Sequence, residues 1–368
     1  MTIVFYVSGH GFGHAVRIAE VIRTILAREP RARIHVRSSA PGWLFPVDER
    51  LSRADVRLDV GVVQQNSLTL DPAATLAGMS AILGDTESIL ARESAALRDL
   101  DCRAVVGDIP PLAFAAAARA SVPSAAIANF SWDWIYRAYL PAAPAFGSLI
   151  ETMARQYGQA SILLRLPFHG DLSAFSRHRD IPLIARRAAL PKAELRRGLA
   201  LDDRPAALLS FGGFGLADLP VARMARESPG WQFLAPWRPD GELPANLRCL
   251  DGRKVNHEDL VAAVDVVVTK PGYGIVAECL ANGARVLYTS RGDFPEYPVL
   301  VGALERHATA RYVAPEALLG GRISGELDAL LAAGERAAPL DPGAFEGARV
   351  AAEIILEMAG GSLSASGP

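Results

Sequence analysis

The sequence predicts an α/β protein made of two tandem Rossmann-like domains with a cleft between them. Apolar segments of strand length alternate with longer helical segments along most of the 368 residues. This alternation is typical of a parallel sheet with helices on both faces. It stops over residues 167–191, which are rich in arginine, histidine and proline, and then resumes. A chain of this length also has room for two domains of about 150 residues each.

The first half supplies the strands of the first sheet. Short apolar segments predict strands over residues 3–7, 33–37, 56–59, 104–107, 124–128 and 161–164. Helical spacing predicts helices over residues 15–28, 72–100 and 112–120. The longest of these contains Gly78 and Gly84, and we expect a break at each because glycine is a poor helix former.

The second half repeats the alternation. Strands are predicted over residues 206–210, 232–234, 248–250, 264–269 and 285–288, and a final helix over 342–358. The domain organisation that follows is an N-terminal domain over 1–178, a linker over 179–191, a C-terminal domain over 192–341, a C-terminal helix over 342–360 and a tail over 361–368. The tail is rich in glycine and serine, so we expect it to be disordered.

The composition narrows the class of partner. The 38 basic residues nearly balance the 40 acidic ones, for a formal charge of −2, so neither nucleic acid nor an anionic membrane is an expected partner. No apolar stretch reaches the roughly 18 residues of a membrane span. The N-terminal residues are typical of a first strand and not of a signal peptide, so we expect a cytoplasmic protein. The sequence does not indicate an oligomeric state.

No metal site is predicted. Cys102, Cys249 and Cys279 are too far apart for a zinc motif, and each lies in or beside an apolar stretch. Residues 99–101 have the form Asp-Leu-Asp, but this triplet precedes a strand instead of ending one. A helix end or a turn is therefore the better interpretation of the triplet.

The turn after the first strand carries two histidines. Residues 8–14 read Ser-Gly-His-Gly-Phe-Gly-His, and a helix follows. Glycines at such a turn let a ligand approach the backbone, and a helix N-terminus favours an anion. The dinucleotide-binding pattern needs an acidic residue at the end of the second strand, where this sequence has Arg37. An NADP site could use Arg37, but the glycine spacing disagrees with the pattern. His10 and His14 are therefore candidate site residues, and the alternative is a tight turn with two incidental histidines.

Asp108 is predicted to lie at the same edge of the sheet. It ends the strand at 104–107, and the carboxyl ends of parallel strands form the ligand-binding edge of such sheets. A carboxylate at this position could orient an imidazole and stabilise its protonated form. The alternative is a helix cap, since Pro110 and Pro111 follow.

An aromatic segment follows the next strand. Residues 129–136 read Asn-Phe-Ser-Trp-Asp-Trp-Ile-Tyr. Two tryptophans and a tyrosine among polar groups suit a carbohydrate or another flat ligand. The alternative is aromatic core packing with Ser131 as a helix N-cap.

Two glycine turns in the second half suit a phosphate. Gly212 and Gly213 follow the strand at 206–210, and the sequence Lys-Pro-Gly-Tyr-Gly at 270–274 follows a later strand. Backbone amides at such turns can bind a diphosphate without a metal ion, and Lys270 adds positive charge.

Two carboxylates accompany these turns. Glu278 lies one turn further along the helix, where it could accept hydrogen bonds from ribose hydroxyls; the alternative is an ordinary exposed helical glutamate. The carboxylates of residues 293–297 follow the next strand. They suit the hydroxyls of a sugar or a cap on the next helix.

The chain resembles a known family in both halves. In the second half, the segment VVVTKPGYGIVAECLANGARVLYTSRGDFPEY resembles the donor-binding half of GT-B glycosyltransferases. The resemblance is strongest to the lipid-linked N-acetylglucosaminyltransferase of peptidoglycan synthesis and to UDP-glycosyltransferases. In the first half, three segments resemble the glycosyltransferase-like N-terminal region of plant L-arabinokinases and their bacterial relatives. They are SGHGFGHAVRIAEVIR, VVGDIPPLA and NFSWDWIY. The resemblance spans nearly the whole chain but includes no kinase half, so it implies no kinase activity.

The residue patterns and the resemblance together assign roles. Donor binding is assigned to Gly212, Gly213, Lys270, Gly272, Tyr273, Gly274, Glu278 and Glu296. The resemblance implies that Glu278 binds the ribose and Glu296 the donor sugar. It implies that His14 or His10 is the catalytic base and that Asp108 orients it. Acceptor binding is assigned to Gly11, Phe12, Gly13, Ser131, Trp132 and Asp133.

We therefore predict a metal-independent, inverting glycosyltransferase of the hexosyl or N-acetylhexosaminyl type. Its co-substrate is a nucleotide-sugar, by resemblance a UDP-sugar, and no further cofactor is expected. The acceptor is a hydroxyl of a small molecule, glycan or lipid. Two alternatives remain, a nucleotide-sugar 2-epimerase on the same fold and a non-catalytic module that binds a nucleotide-sugar.

Overall fold

The computed structural model describes residues 1–64, 70–212, 219–238, 241–334 and 340–361. These residues divide into two units. Unit 1 contains the described residues up to Ile184 and again from Pro342 onward, and unit 2 contains those from Ala185 to Asp341. The tail expected at 361–368 lies outside the described residues, apart from Gly361.

Unit 1 is built on a parallel sheet. Its strands are β1 (Thr2–Val7), β2 (Arg33–Arg37), β3 (Leu51–Ala54), β4 (Cys102–Asp108), β5 (Ser124–Ala128), β6 (Ile162–Arg165) and β7 (His178–Asp180). The seven strands lie in the order β3-β2-β1-β4-β5-β6-β7, and every neighbouring pair is parallel. The central strands β1, β4 and β5 are buried along almost their whole length, which explains their continuous apolar sequences.

Helices pack against this sheet. They are α1 (Gly13–Arg28), α2 (Pro72–Gly84), α3 (Thr86–Asp99), α4 (Pro111–Arg119), α5 (Trp132–Arg137) and α6 (Gly147–Tyr157). Helix α1 buries Ile18, Ile22 and Ile25, which recur at helical spacing on one face. The core between the sheet and helices α3 and α4 includes Tyr6 and Leu112.

Unit 2 repeats the architecture. Its strands are β8 (Ala206–Ser210), β9 (Gln232–Ala235), β10 (Leu247–Cys249), β11 (Val266–Thr269), β12 (Arg285–Tyr288) and β13 (Ala310–Tyr312). They form a six-stranded parallel sheet in the order β10-β9-β8-β11-β12-β13. The helices are α7 (Lys192–Gly198), α8 (Val221–Glu227), α9 (His257–Ala263), α10 (Tyr273–Asn282), α11 (Tyr297–His307), α12 (Pro315–Leu319) and α13 (Ser324–Ala332). Phe211, Trp231 and Phe233 are buried in its core.

The last helix returns to unit 1. A 3₁₀ turn at Pro342–Phe345 precedes α14 (Gly347–Ala359), which packs against α1. An ion pair of 2.7 Å joins Arg28 Nη1 of α1 to Glu353 Oε1 of α14. At the point where the chain leaves unit 1, Leu183 N–H donates to the carbonyl of Ala344 over 2.8 Å. The departing and returning segments are therefore hydrogen-bonded to each other.

The predicted fold class is confirmed by two parallel sheets flanked by helices. Three strand assignments differ from the prediction. No strand forms at 56–59, and the third strand is β3 at Leu51–Ala54. Strands β7 and β13 were not predicted, and β7 lies inside the segment 167–191 where the alternation stops.

The predicted break at Gly78 is also wrong, whereas the helix does end at Gly84. A Cβ at Gly78 would lie 3.3 Å from Val60 Cγ2, so the glycine allows the segment before α2 to pack closely on the helix. The final helix begins at Gly347, later than the predicted residue 342. No helix in the part of the chain that the structure describes is long and apolar enough to cross a membrane.

Candidate active site

The first glycine turn lies at a switch point of the unit 1 sheet. β1 has β2 on one side and β4 on the other, so the connections after β1 and β4 diverge at the carboxyl ends of these two strands. Ligands of open α/β sheets bind at such points. His14 follows β1 at the start of α1, and Asp108 ends β4. The topology therefore places both residues at the ligand-binding edge.

The predicted contact between His14 and Asp108 is present. His14 Nδ1 lies 2.7 Å from Asp108 Oδ1, and both side chains are buried. Arg17, one turn further along α1, donates from Nη2 to Asp108 Oδ1 and from Nε to Asp108 Oδ2, each over 2.5 Å. Arg17 Nη1 donates to Asn129 Oδ1 over 2.7 Å. Four buried polar side chains thus form one network.

This network fixes the tautomer of His14. A carboxylate only accepts hydrogen bonds, so the proton on the neutral ring lies on Nδ1 and points to Asp108. The other ring nitrogen, Nε2, then carries the lone pair, and it has no hydrogen-bond partner among the described residues. Nε2 is therefore the atom of His14 that is available to accept a proton.

The environment of Asp108 keeps it ionised. Burial alone would raise the pKa of Asp108, but the positive charge of Arg17 and the contact with His14 hold it below its usual value. Asp108 is not a helix cap, because the N-cap of α4 is Pro110 and both carboxylate oxygens contact α1. This geometry excludes the capping role and retains the role of orienting an imidazole.

His10 has the opposite tautomer. Its Nδ1 accepts a hydrogen bond of 3.2 Å from the backbone N–H of Val62, so the neutral ring carries its proton on Nε2. Gly61 makes this contact possible, because a Cβ there would lie 2.4 Å from the Cβ of His10. A neutral His10 is therefore a hydrogen-bond donor at its outer nitrogen, whereas His14 has a lone pair at its outer nitrogen.

The ring of Trp132 packs against the rings of both histidines. It is fully buried, and its ring centroid lies 5.4 Å from that of His10 and 6.0 Å from that of His14. Its Nε1 donates to Asp59 Oδ2 over 2.9 Å, and Ser8 Oγ donates to the other oxygen of Asp59. Burial raises the pKa of Asp59 despite these two donors.

The residues assigned to the acceptor differ in exposure. Gly11 and Phe12 are partly exposed, Gly13 is exposed, and Phe12 packs edge-on against the half-exposed ring of Trp43. Ser131, Trp132 and Asp133 are buried, so in this conformation they line the interior behind the turn. Ser131 begins α5 as its N-cap residue, but its side chain forms no cap hydrogen bond.

In unit 2 the two glycine turns begin at neighbouring strand ends. Strands β8 and β11 are neighbours, with Ser210 in register with Thr269, so the turns that follow them leave the same edge. Gly212 has a φ of +74°, which is a left-handed conformation suited to glycine, and Gly272 is the N-cap of α10. Gly213 lies outside the described residues.

Glu278 is buried in a network of its own. Its Oε1 accepts a hydrogen bond of 2.6 Å from Arg186 Nε, and its Oε2 lies 2.7 Å from His257 Nδ1. Burial alone would raise the pKa of Glu278, but His257 and Arg186 hold it below its usual value. Glu278 is thus an ionised, oriented carboxylate, and it is not the exposed helical residue of the alternative interpretation.

Glu296 and Lys270 surround the second glycine turn. Arg291 Nη1 lies 2.6 Å from Glu296 Oε2, and it also donates to the carbonyl of Pro271 over 3.3 Å. Glu296 is buried in this contact, and Arg291 stacks on the ring of Phe294 at 3.9 Å. Burial and the charge of Arg291 lower the pKa of Lys270 to about 8.

Sequence reasoning missed four participants of these networks, Arg17, Arg186, His257 and Arg291. Arg17 had a readable signal, since it lies three residues after His14 and therefore on the same helical face. The other three have no comparable signal in the sequence. Among the described residues there is no group of three or more histidine, cysteine, aspartate or glutamate side chains that could hold a metal ion.

Comparisons with known proteins place this geometry in a fold class. A crystal structure of the glycotransferase of kitacinnamycin matches with a TM-score of 0.62 at 20% identity, over 97% of this chain and 98% of that one. A putative UDP-N-acetylglucosamine 2-epimerase from Listeria monocytogenes matches with a TM-score of 0.58 at 12% identity, over 100% and 98% of the two chains. The chain has the GT-B fold.

A curated relative lies closer in sequence. The chain is 33% identical over 380 residues to L-arabinokinase of Arabidopsis thaliana, which confirms the resemblance drawn from the sequence. All of this chain is matched, but it spans only 35% of the length of that relative. No protein-family model matches the chain.

Proposed function

We propose that the protein is a glycosyltransferase that moves a sugar from a nucleotide-sugar to a hydroxyl group, with inversion and without a metal ion. The observation that carries the proposal is the His14–Asp108 contact of 2.7 Å, which leaves Nε2 of His14 able to accept a proton. A fold shared with glycosyltransferases supports it. The fold alone does not specify the reaction, so the proposal rests on the side chains.

In the proposed reaction His14 is the general base. Its Nε2 takes the proton of the acceptor hydroxyl while the oxygen attacks the anomeric carbon. The bond from that carbon to the diphosphate breaks, and its electron pair leaves with the nucleoside diphosphate. Asp108 stabilises the imidazolium that forms, and Arg17 holds Asp108 in place. General base catalysis of this kind contributes about 10²–10⁴-fold.

The donor is assigned to unit 2. Lys270 and the amides from Gly272 to Gly274 would bind the diphosphate, since α10 begins there and its N-terminus favours an anion. Glu278 would bind the ribose. Each of its carboxylate oxygens has two lone pairs, so each can accept a ribose hydroxyl in addition to its partner in the protein. A UDP-sugar is the proposed donor, as the resemblance implies.

The acceptor is assigned to the first glycine turn. Gly11, Phe12 and Gly13 are accessible beside His14, and the edge-on pair of Phe12 and Trp43 offers an apolar surface. A small molecule, glycan or lipid with a free hydroxyl is the proposed class of acceptor. The buried residues Trp132 and Asp133 would act indirectly by supporting the turn.

Product analysis tests the proposal. The purified protein is incubated with a panel of nucleotide-sugars, with and without hydroxyl acceptors, and the products are identified by mass spectrometry and NMR. We expect nucleoside diphosphate and an inverted glycoside only when an acceptor is present. The variant His14→Ala should abolish transfer while leaving the affinity for UDP nearly unchanged. Retained transfer in this variant would overturn the assignment of the base.

The same experiment separates the alternatives. A 2-epimerase is favoured by the structural likeness to the Listeria protein, and it would change the donor sugar with no acceptor present. A non-catalytic module would bind a nucleotide-sugar tightly and release no product with any acceptor. Either result would replace the transferase proposal.

A further inference from the structure

Three side chains in unit 2 form a hydrogen-bonded line that the proposed transfer does not yet use. Ser210 Oγ lies 3.0 Å from His257 Nε2, and His257 Nδ1 lies 2.7 Å from Glu278 Oε2. The three residues come from different elements, β8, α9 and α10. A hydroxyl, an imidazole and a carboxylate in this order can move a proton along the line.

The hydroxyl end of the line faces the edge where both glycine turns begin. Ser210 is the last residue of β8 and is in register with Thr269, which directly precedes Lys270. Thr269 Oγ1 donates to the carbonyl of Ser210, so the two strand ends are joined. A diphosphate bound by the two turns would therefore lie beside the hydroxyl of Ser210.

His257 has a polar partner at each of its two ring nitrogens. Glu278 of α10 and Ser210 of β8 face the two ring nitrogens, and on its own helix Glu258 is paired with Arg186. The cationic side chains of the neighbouring helix α7, Lys192 and Arg196, contact Asp265 at the other end of α9.

The burial of the line suits a relay as well. Ser210 and Glu278 are buried, whereas 27% of the His257 side chain is exposed to solvent. The ring can therefore exchange a proton with water while its two partners stay fixed in the interior.

We propose that Ser210, His257 and Glu278 form a proton relay toward the terminal phosphate of a nucleoside diphosphate, a proposal that rests on the donor site described above. As the anomeric C–O bond breaks, Ser210 Oγ passes its proton to the departing phosphate oxygen. Ser210 regains a proton from Nε2 of the His257 imidazolium. Glu278 stays ionised throughout, and the neutral ring recovers a proton from water after the product leaves.

Calorimetry with UDP tests the relay without turnover. Titrations in two buffers of different ionisation enthalpy give the number of protons taken up on binding. They are repeated at several values between about pH 5 and pH 8, the range in which histidine titrates in proteins. We expect the wild type to take up more protons than His257→Gln, because a bound phosphate favours the imidazolium. Free UDP and the buffers are the same for both proteins, so a difference in proton number reports the loss of the His257 ring.

A matched control and a refuting result accompany this measurement. His178→Gln changes an exposed histidine of β7 and should leave the proton number unchanged. Equal proton numbers for the wild type and His257→Gln over the whole pH range would overturn the relay. If UDP does not bind, dTDP, GDP and ADP are titrated in the same way, and failure of all four to bind would also overturn it.

Steady-state rates test the same relay during transfer. Ser210→Ala should lower kcat by about 10²-fold, the lower end of the range for proton transfer, with little change in KM for the donor. Ser210→Thr retains a hydroxyl and should recover most of the rate, which a merely structural role would not predict. An unchanged kcat in Ser210→Ala would overturn the relay even if transfer is observed.

The two arms separate this relay from the proposed function. Proton uptake that depends on His257, without transfer to any acceptor, would keep the relay as a phosphate-binding device and reject the transferase. Transfer that depends on His14 but not on Ser210 or His257 would keep the transferase and reject the relay.

Discussion

The buried carboxylate of Asp108 offers a quantitative test of the unit 1 network. Asp108→Asn keeps the size of the side chain but removes its charge. The new amide presents N–H donors or a neutral oxygen to Arg17, whose side chain is only 4% exposed. Removing one partner of a buried ion pair costs about 3–5 kcal/mol, because the other charge stays buried without compensation. We expect unit 1 to lose stability by this amount.

A second variant shows that the cost comes from the uncompensated charge. In Arg17→Met combined with Asp108→Asn, no buried charge of this pair remains, and the loss of the Arg17 bond to Asn129 costs only about 1 kcal/mol. The double variant should therefore recover about 2 kcal/mol or more relative to Asp108→Asn alone, because apolar groups often replace a buried ion pair at little cost.

Urea denaturation followed by tryptophan fluorescence measures both variants, since Trp132 lies beside His14. The reasoning is refuted if Asp108→Asn costs less than about 1 kcal/mol, the size of one ordinary hydrogen bond, or if the double variant is the less stable of the two.

Transfer should fall less in Asp108→Asn than in His14→Ala, because the base remains and only its orientation is degraded.

The Asp108 carboxylate also makes the stability of the protein depend on pH. The pKa of Asp108 is lowered in the folded protein, so an unfolded chain binds a proton at this carboxyl at higher pH than the folded one does. Its contribution to stability is therefore present above the unfolded pKa and is lost as the pH falls through the folded pKa. Asp108→Asn should flatten the acid limb of the stability curve.

The remaining predictions concern unit 2. Glu278→Ala should weaken UDP binding by about 1.5–3 kcal/mol, the range for a charged hydrogen bond. The control Glu227→Ala, on the surface of α8, should leave UDP binding unchanged. If calorimetry finds the same affinity in Glu278→Ala as in the wild type, Glu278 does not bind the ribose. Affinity for UDP should fall as the pH rises above about 8, where Lys270 loses its proton. Lys270→Arg should remove this pH dependence because arginine stays protonated. A wild-type affinity that is flat across this range would exclude Lys270 as a ligand of the diphosphate. Transfer should continue in EDTA, and loss that Mg²⁺ or Mn²⁺ restores would count against the metal-independent mechanism.

The fold could be predicted wherever burial leaves a pattern in the sequence. Strands β1, β5, β8 and β12 match the predicted segments to within one residue, because a strand buried in a parallel sheet is mostly apolar. Three of the four edge strands, β3, β7 and β13, were missed or misplaced, since their residues are mostly exposed, whereas the edge strand β10 was predicted to within one residue. Backbone hydrogen bonds hold an edge strand in place, and these leave no trace in the order of side chains.

The candidate site was predictable to the same degree. Parallel strands bring their carboxyl ends to one edge, so the sequence placed His14 and Asp108 together although 94 residues separate them. Arg186 lies in the segment expected to be a linker, and it reaches Glu278 across 92 residues. No periodicity encodes a contact of that kind, because it depends on how loops and helices pack after the sheet has formed.

The hydrogen-bonded crossing at Leu183 and Ala344 makes unit 2 an insertion within unit 1. A ribosome must finish unit 2 before it delivers α14, so the face of α1 that α14 covers stays open until α14 has been made. A fragment that stops at residue 184 would keep that face open permanently. Since Leu183 and Ala344 are hydrogen-bonded to each other, a short linker from residue 184 to residue 342 would excise unit 2 and keep both segments of unit 1. At the rejoined seam residue 347 must stay glycine, because a Cβ there would lie 2.2 Å from the carbonyl oxygen of Pro182.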